Sequence, residues 1–280
     1  MTSGLVPDCE SVGEVRRQRD VDPDTRETDL PDGGAYWATA AQLIAAEPGR
    51  RCDRERELDL AVLAWSARFA FVTCSTLAWR WGVSEQKMRK RVRRLEREGF
   101  VRRIQDGRNQ PMRVVVTERG GDACGLTIRT ARGLESLGHE IAVIKRVMAN
   151  ETYFAGHGPA GARVLTERDM RREQRRDDGP RWSVRMVLPH GRPAKRWPDY
   201  VVQSPAGTTA VELEFSLKAT RRLRSILRGY EETSQYDFVD FVVPERRQDA
   251  QLARTLTRLV DEVQTRRNAW TAKCGVQAGA

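Results

Sequence analysis

The chain has 280 residues, with 49 Lys and Arg against 39 Asp and Glu, a formal net charge of +10 and a pI near 9.8. That length holds two modest domains with a core each, and the positive balance selects a polyanionic partner, nucleic acid ahead of a membrane surface. The five cysteines, Cys9, Cys52, Cys74, Cys124 and Cys274, form no CxxC pair, which speaks against structural zinc or a disulfide framework and fits a reducing cytoplasm.

No apolar run approaches a membrane span, and the acidic N-terminus does not read as a signal peptide. Residues 1–52 hold ten acids and six arginines, so residues 53–280 carry +14. The stretch 1–52 is expected to be mostly disordered. Within it, residues 36–47 read as a short helix with Tyr36, Trp37, Leu43 and Ile44 as apolar contacts.

A DNA-binding domain is expected over 53–125. Residues 57–69 read as a helix with Leu58, Val62 and Trp65 inward, Thr73 caps a second helix over 75–81, and Gly82 ends it. Ser84 then caps a third helix, because its hydroxyl can accept from a free N–H of the first turn. Gly99 suits the left-handed residue that closes it. In that third helix only Met88, Val92 and Leu95 are apolar, at i, i+4 and i+7, a narrow stripe for a core. At about 100° per residue, Gln86, Lys90, Arg93 and Arg97 point away from the stripe, with Lys87, Arg89 and Arg94 on its flanks. A basic run on a lone helix is most often a solvated face. Here a short Gly turn precedes it, and residues 100–104 and 112–116 follow as strands about an Asp106-Gly107 turn. Arg108, Asn109 and Arg113 are expected near that hairpin's tip, in reach of phosphate or a minor groove. Thr117 caps a further helix.

Helix, Gly turn, basic helix is a helix-turn-helix arrangement, and from Leu58 to about Cys124 the run resembles the winged-helix domains of bacterial regulators. The resemblance implies duplex DNA as partner. Ser84, Gln86, Lys87, Arg89, Lys90, Arg93, Arg94 and Arg97 would lie on the groove helix, with Arg108, Asn109 and Arg113 on the wing. Gln86 is the base-reading candidate, since an amide can pair bidentately with adenine.

Residues 126–160 read as a helical connector. Leu134, Leu137, Ile141, Ile144 and Met148 recur at spacings of three and four, a seam that either joins two protomers into a homodimer or packs on its own domain. His139 on this helix reads as a hydrogen-bonded structural histidine.

Residues 161–272 read as a mixed α/β domain in the order α-β-β-β-α-β-α. Its helices cover 166–176, 217–230 and 245–270, its strands 181–188, 197–202, 208–216 and 236–243, and residues 273–280 are a tail. Asp199 opens one strand, and Glu212 and Glu214 lie on the next. Alternation puts Glu212, Glu214 and Ser216 on one face, with Val211, Leu213 and Phe215 in the core. Carboxylates from neighbouring strands on one side can hold a hard cation such as Mg²⁺, which would polarise a phosphodiester and activate water. Lys218 is the nearest supporting lysine and Glu167 a further ligand. The alternative is that these carboxylates pair with basic side chains such as Arg221 and Arg222.

The element pattern resembles the restriction-endonuclease-like PD-(D/E)XK nuclease fold, with Pro198-Asp199 and Glu212-Leu213-Glu214 in the motif positions. The motif's lysine, two residues beyond the second acid, is here Glu214 or Ser216, and Lys218 is displaced. The whole arrangement, over roughly 58–245, resembles the replication-relaxation family of plasmid, phage and integrative-element proteins. The matching pieces are the winged helix, Leu137-Gly-His-Glu-Ile-Ala-Val143, Thr166-Glu-Arg-Asp169, Trp197-Pro-Asp-Tyr-Val-Val202, Val211-Glu-Leu-Glu-Phe-Ser-Leu-Lys218, Arg222-Leu223 and Tyr230. This resemblance implies DNA binding on a mobile genetic element, in replication control, transfer or transcription.

The expectation is therefore a two-domain chain of α/β and α+β class: an N-terminal winged helix-turn-helix, then a restriction-endonuclease-like mixed sheet flanked by helices. Two rival readings stay open. One is a Mg²⁺-dependent DNA endonuclease using Asp199, Glu212, Glu214 and Lys218, with metal on Asp199 and Glu212 and Glu167 as an added ligand. The other is a non-catalytic platform for protein interaction.

Overall fold

The computed structural model describes residues 51–280 apart from 106, 127, 129–135, 176–178, 188–190, 215–219, 245–249, 267–273 and 280. The expectations for 1–50, Leu134, Phe215, Ser216 and Lys218 lie outside the described residues.

The first unit runs α1 (Arg51–Ser66), β1 (Val72–Thr73), α2 (Cys74–Arg80), α3 (Glu85–Arg97), β2 (Val101–Ile104), β3 (Arg113–Val116) and α4 (Glu118–Ala123). Side-chain caps set the helix starts. Thr73 forms a capping box with Thr76, Ser84 accepts from the Lys87 N–H, and Thr117 accepts from the Gly120 N–H, satisfying donors that a first turn leaves open. Gly99 closes α3 at φ 78°, where a side chain would be strained. The antiparallel sheet has the order β1-β3-β2, with Val72 opposite Val114 and Val101 opposite Val116. Met88, Val92 and Leu95 are all buried, so the apolar stripe of α3 is spent on the core.

The second unit runs α5 (Leu137–Gly156), β4 (Arg163–Thr166), α6 (Glu167–Glu173), β5 (Val184–Val187), β6 (Pro193–Arg196), β7 (Tyr200–Ser204), β8 (Gly207–Leu213), α7 (Thr220–Glu231), β9 (Phe238–Pro244), α8 (Ala250–Arg266) and β10 (Cys274–Gly279). The five-stranded sheet has the order β10-β9-β8-β7-β4. Strands β4, β7 and β8 are antiparallel, while β8, β9 and β10 are parallel. Parallel neighbours need a crossover, and α7 and α8 supply the two. Strands β5 and β6 form a separate hairpin seated on α7, where the Ser225 hydroxyl accepts from the Val187 N–H at 3.0 Å and donates to its carbonyl at 2.7 Å. The chain is thus a mixed α+β protein with eight helices and three sheets among the described residues.

Three expectations are corrected. Strand β6 is an element of its own, and the following strand starts at Tyr200 instead of Trp197. Cys274–Gly279 is not a tail but an edge strand parallel to β9. Its glycine-rich sequence carries no alternation, and the open edge of β9 supplies the pairing groups. Finally, the inserted strand β4 (Arg163–Thr166) precedes α6 and pairs with β7, an element absent from the expected order. Of the connector seam, Ile144 and Met148 are buried with Val143 and Val147 in the chain's own core, while Leu137 and Ile141 are half-buried.

The boundary near residue 125 does not separate two cores. One apolar cluster runs from α1, α2 and α3 through α5 to one face of the five-stranded sheet, at Val164, Tyr200, Val211, Leu213 and Val242. A second fills the opposite face beneath α7, α8 and the hairpin, with Val201, Ala210 and Phe241 against Leu223, Leu256 and Val184. Arg68 lies at the joint and is 1% exposed. Its Nε donates to Asp169 at 2.7 Å, and its guanidinium also pairs with Glu151 and the Val164 carbonyl. The Thr166 hydroxyl donates to the Arg68 carbonyl at 2.7 Å, and Glu140 accepts the Ala70 N–H at 2.7 Å. The turn after α1 is clamped by α5 and α6.

Candidate nucleic-acid interface and acidic centre

On α3 the capping Ser84 and the side chains of Gln86, Lys87, Arg89, Lys90, Arg93 and Arg97 are exposed. Among the described residues Lys87, Lys90, Arg93 and Arg97 form no ion pair. Arg89 pairs with Glu85 one turn earlier, at 2.7 Å on the surface, a contact worth about 0.3–0.5 kcal/mol and easily exchanged for another anion. Arg94 turns the other way, contrary to expectation. It bonds Asp59 and, at 3.1 Å, Glu55 of α1, and Arg91 bonds Asp59 beside it. Glu55 and Asp59 stand one turn apart on α1, so these two arginines hold α3 to α1 instead of facing solvent. A cleft of about 310 Å³ opens along this seam, with Lys87, Lys90 and Arg97 on its wall.

Arg108 and Asn109 are exposed in the connection between β2 and β3. Arg113 is not at that tip. It opens β3 opposite both Ile104 and Thr73, is 8% exposed, and lays its guanidinium 5.0 Å from the Phe71 ring centroid. The cause is β1, a third strand that covers β3 and that a two-strand hairpin reading omits. Arg102, not singled out from the sequence, is exposed on β2. Strand alternation beside buried Val101 was the signal for it.

The acidic residues of the second unit are buried, not on an open face. Glu212 is 0% and Glu214 1% exposed. Both faces of the sheet are covered, by α5 on one side and α7 with the hairpin on the other. Arg196 clasps Glu212 with Nε at 2.9 Å and also with Nη2, and the Tyr230 hydroxyl donates to the same carboxylate. Glu214 stands 3.9 Å from Arg196. The Glu212 carboxylate holds the Arg196 pKa far above its ordinary value, and burial followed by Glu212 pushes the Tyr230 phenol well up. The counter-ion is therefore Arg196, whereas Arg221 and Arg222 are exposed.

Asp199 does different work. Its backbone N–H donates to the Val211 carbonyl at 3.1 Å, its Oδ2 accepts the Leu213 N–H at 2.6 Å, and its Oδ1 is bonded to His139 Nε2 at 3.0 Å. It stitches β7 to β8 and ties α5 to the sheet, giving His139 the hydrogen-bonded role expected of it. Glu167 pairs with Arg171 on α6.

This donor set does not fit Mg²⁺. Both Glu212 oxygens are engaged by Arg196, both Asp199 oxygens by Leu213 and His139, and a guanidinium stands where a divalent ion would need oxygen ligands at about 2.0–2.1 Å. Among the described residues no group of three or more His, Cys, Asp or Glu is placed to hold a metal. Cys74 and Cys124 are free thiols, and burial pushes Cys124 up to about 11, which makes it a poor nucleophile. No helix among the described residues is long and apolar enough to cross a membrane.

Comparison with protein-family models, curated proteins and solved structures finds no match to this chain.

Proposed function

We propose that this chain is a cytoplasmic protein that binds duplex DNA with sequence preference, with its first unit acting as a winged helix. In this reading α3 enters the major groove and the β2–β3 hairpin is the wing. One observation carries it: the cations of α3 divide by face. Arg91 and Arg94, toward α1, are neutralised by Asp59 and Glu55, whereas Lys87, Lys90, Arg93 and Arg97 face outward and form no ion pair among the described residues. A helix about 10–12 Å across bearing donors on its free face suits a major groove about 12 Å wide. Gln86, in the first turn, stands where recognition helices read base edges. The resemblance to replication-relaxation proteins adds the setting, a mobile genetic element, with a role in replication control, transfer or transcription. The reading is non-enzymatic, because Glu212 is already neutralised from within.

The test is a fluorescence-anisotropy titration of duplex DNA across a range of salt concentrations. Each phosphate that the protein no longer neutralises should lower the salt slope by about 0.9, so the Lys90→Ala, Arg93→Ala pair is expected to flatten it by about two units. Unchanged affinity and slope would sink the reading. Incubation of the protein with plasmid and Mg²⁺ or Mn²⁺ tests the rival. Cleavage that disappears in Asp199→Ala and Glu212→Ala would put a nuclease in its place.

A further inference from the structure

The second basic surface of the molecule lies on the other side of the five-stranded sheet from α3. Residues 181–196 contain four arginines and one lysine and no acid. Of these, Arg196 is spent on Glu212, while Arg185, Arg192 and Lys195 are exposed. In the hairpin register Arg185 stands directly opposite Lys195 on the outer face. Like charges at directly opposed strand positions are destabilising, and an isolated two-stranded ribbon is marginal to begin with. The pair is thus an unfavourable feature of the free protein that a bound anion would turn favourable.

Strand β5 is nevertheless pinned to α7. Ser225 bonds both main-chain groups of Val187, and a Cβ at Gly229 would lie 2.3 Å from the Arg185 carbonyl, so only glycine lets β5 seat this closely on α7. Helix α7 adds Arg221, Arg224 and Arg228 at i, i+3 and i+7, all exposed, beside a buried apolar face of Leu223, Ile226, Leu227 and Tyr230. Arg185, Arg192, Lys195, Arg221 and Arg228 form no ion pair among the described residues. By contrast Arg68 and Arg172 at the joint and Arg196 in the core each have a carboxylate partner.

We propose that the β5–β6 hairpin and α7 together form a second surface that binds the phosphate backbone of duplex DNA. The partner class follows from charge complementarity: a cationic ribbon beside a cationic helix stripe matches a duplex, which carries about one charge per 1.7 Å of its axis. The surface lies on the face of the five-stranded sheet opposite the one joined to α1, α2 and α3. It therefore engages a different stretch of DNA from α3, either the flank of the same duplex bent around the protein or a second duplex. The proposal takes its ligand from the function proposed above but rests on separate residues.

The experiment uses the full chain carrying Arg185→Gln, Lys195→Gln, Arg221→Gln and Arg228→Gln, titrated against a 40-base-pair duplex across salt, beside the α3 variant. The salt slope of the hairpin variant is expected to fall by about two to four units, and its affinity to fall by more than tenfold at low salt. An unchanged slope and affinity overturn the proposal, whatever the α3 variant does. If the hairpin variant weakens and the α3 variant does not, this surface stands and the α3 reading fails. The fold is controlled by Arg185→Gln alone, which should keep or raise the Tm because it removes a like-charge pair. A lower Tm with unchanged binding would make the residue structural and sink its assignment. Single-stranded RNA of equal length is the last arm, and weakening of RNA binding alone would overturn the assignment to duplex DNA.

Discussion

Replacing Arg196 with Met tests what the buried acidic centre is. Glu212 is fully buried, and in the wild type two guanidinium nitrogens and the Tyr230 hydroxyl neutralise and satisfy its carboxylate. Met keeps much of the stem's volume but removes the charge, leaving a buried anion with one phenolic donor. Breaking a buried pair from one side costs about 3–5 kcal/mol. At about 2–4 °C per kcal/mol for a chain this size, that is a fall in Tm of about 6–20 °C. Adding Glu212→Gln to Arg196→Met removes the stranded charge and should recover most of the loss, which makes a double-mutant cycle the natural assay. Thermal and urea unfolding followed by circular dichroism at pH 7, with and without Mg²⁺, give the Tm and free-energy values. A cost below about 1 kcal/mol for Arg196→Met would refute the reasoning, since a buried pair broken from one side should cost more. So would a Mg²⁺-dependent rise in wild-type Tm that Glu212→Gln abolishes, because a ligand bound only by the native state stabilises it in proportion to RT ln(1 + [L]/Kd).

Asp240 lies across from Val211, and burial raises its carboxyl from 3.8 to about 6. A carboxyl raised on folding contributes stability that is present below about pH 4 and lost as pH climbs through about 6. Asp240→Asn should therefore match the wild type near pH 4 and exceed it by about 2–3 kcal/mol at pH 7. A Tm difference flat across pH 4–8 would contradict this. Arg68→Ala removes the buried guanidinium shared by Asp169 and Glu151, leaving Asp169 to Arg172 and Glu151 to Arg80, with an expected loss of about 3 kcal/mol, the lower end for a buried pair broken from one side. Urea curves by tryptophan fluorescence and far-ultraviolet circular dichroism, coincident in the wild type, should separate; if they stay superimposed, the joint is less important than its bonding indicates. Ser84→Ala removes the cap of α3 and should cost about 1 kcal/mol, read in the same unfolding experiment, while Gln86→Ala should relax base preference more than it lowers non-specific affinity.

Local chemistry in the sequence was enough to mark the caps and turns of the first unit. Thr73, Ser84 and Thr117 all cap helices where their hydroxyls suggested, and Gly99 adopts the positive φ its position called for. Those signals depend only on residues three or four apart. What the sequence concealed was tertiary. The outward lean of Arg94 was correct for an isolated helix and was overridden by Glu55 and Asp59 on a neighbouring element. The alternating acids Glu212 and Glu214, on and just past β8, read as a wet face because one-sided sheets give that pattern. Here the second face is covered as well, and the partner that makes burial tolerable, Arg196, comes from a strand whose Pro-Ala-Lys-Arg sequence has no strand signature. The edge strand β10 likewise owes its form to β9.

The interlock of Arg68 with Asp169, Glu151, Thr166 and Val164 ties the helical unit to the sheet at fixed contacts, which would let the molecule act as a caliper. If its two cationic jaws grip DNA, the gap between them is set by the fold and not by a tether, so affinity for two linked sites should oscillate with the helical repeat of the duplex that separates them. Inserting half a turn of DNA would turn the second site to the wrong side, and a full turn would bring it back. Loosening the joint at Arg68 should damp that oscillation without touching either jaw.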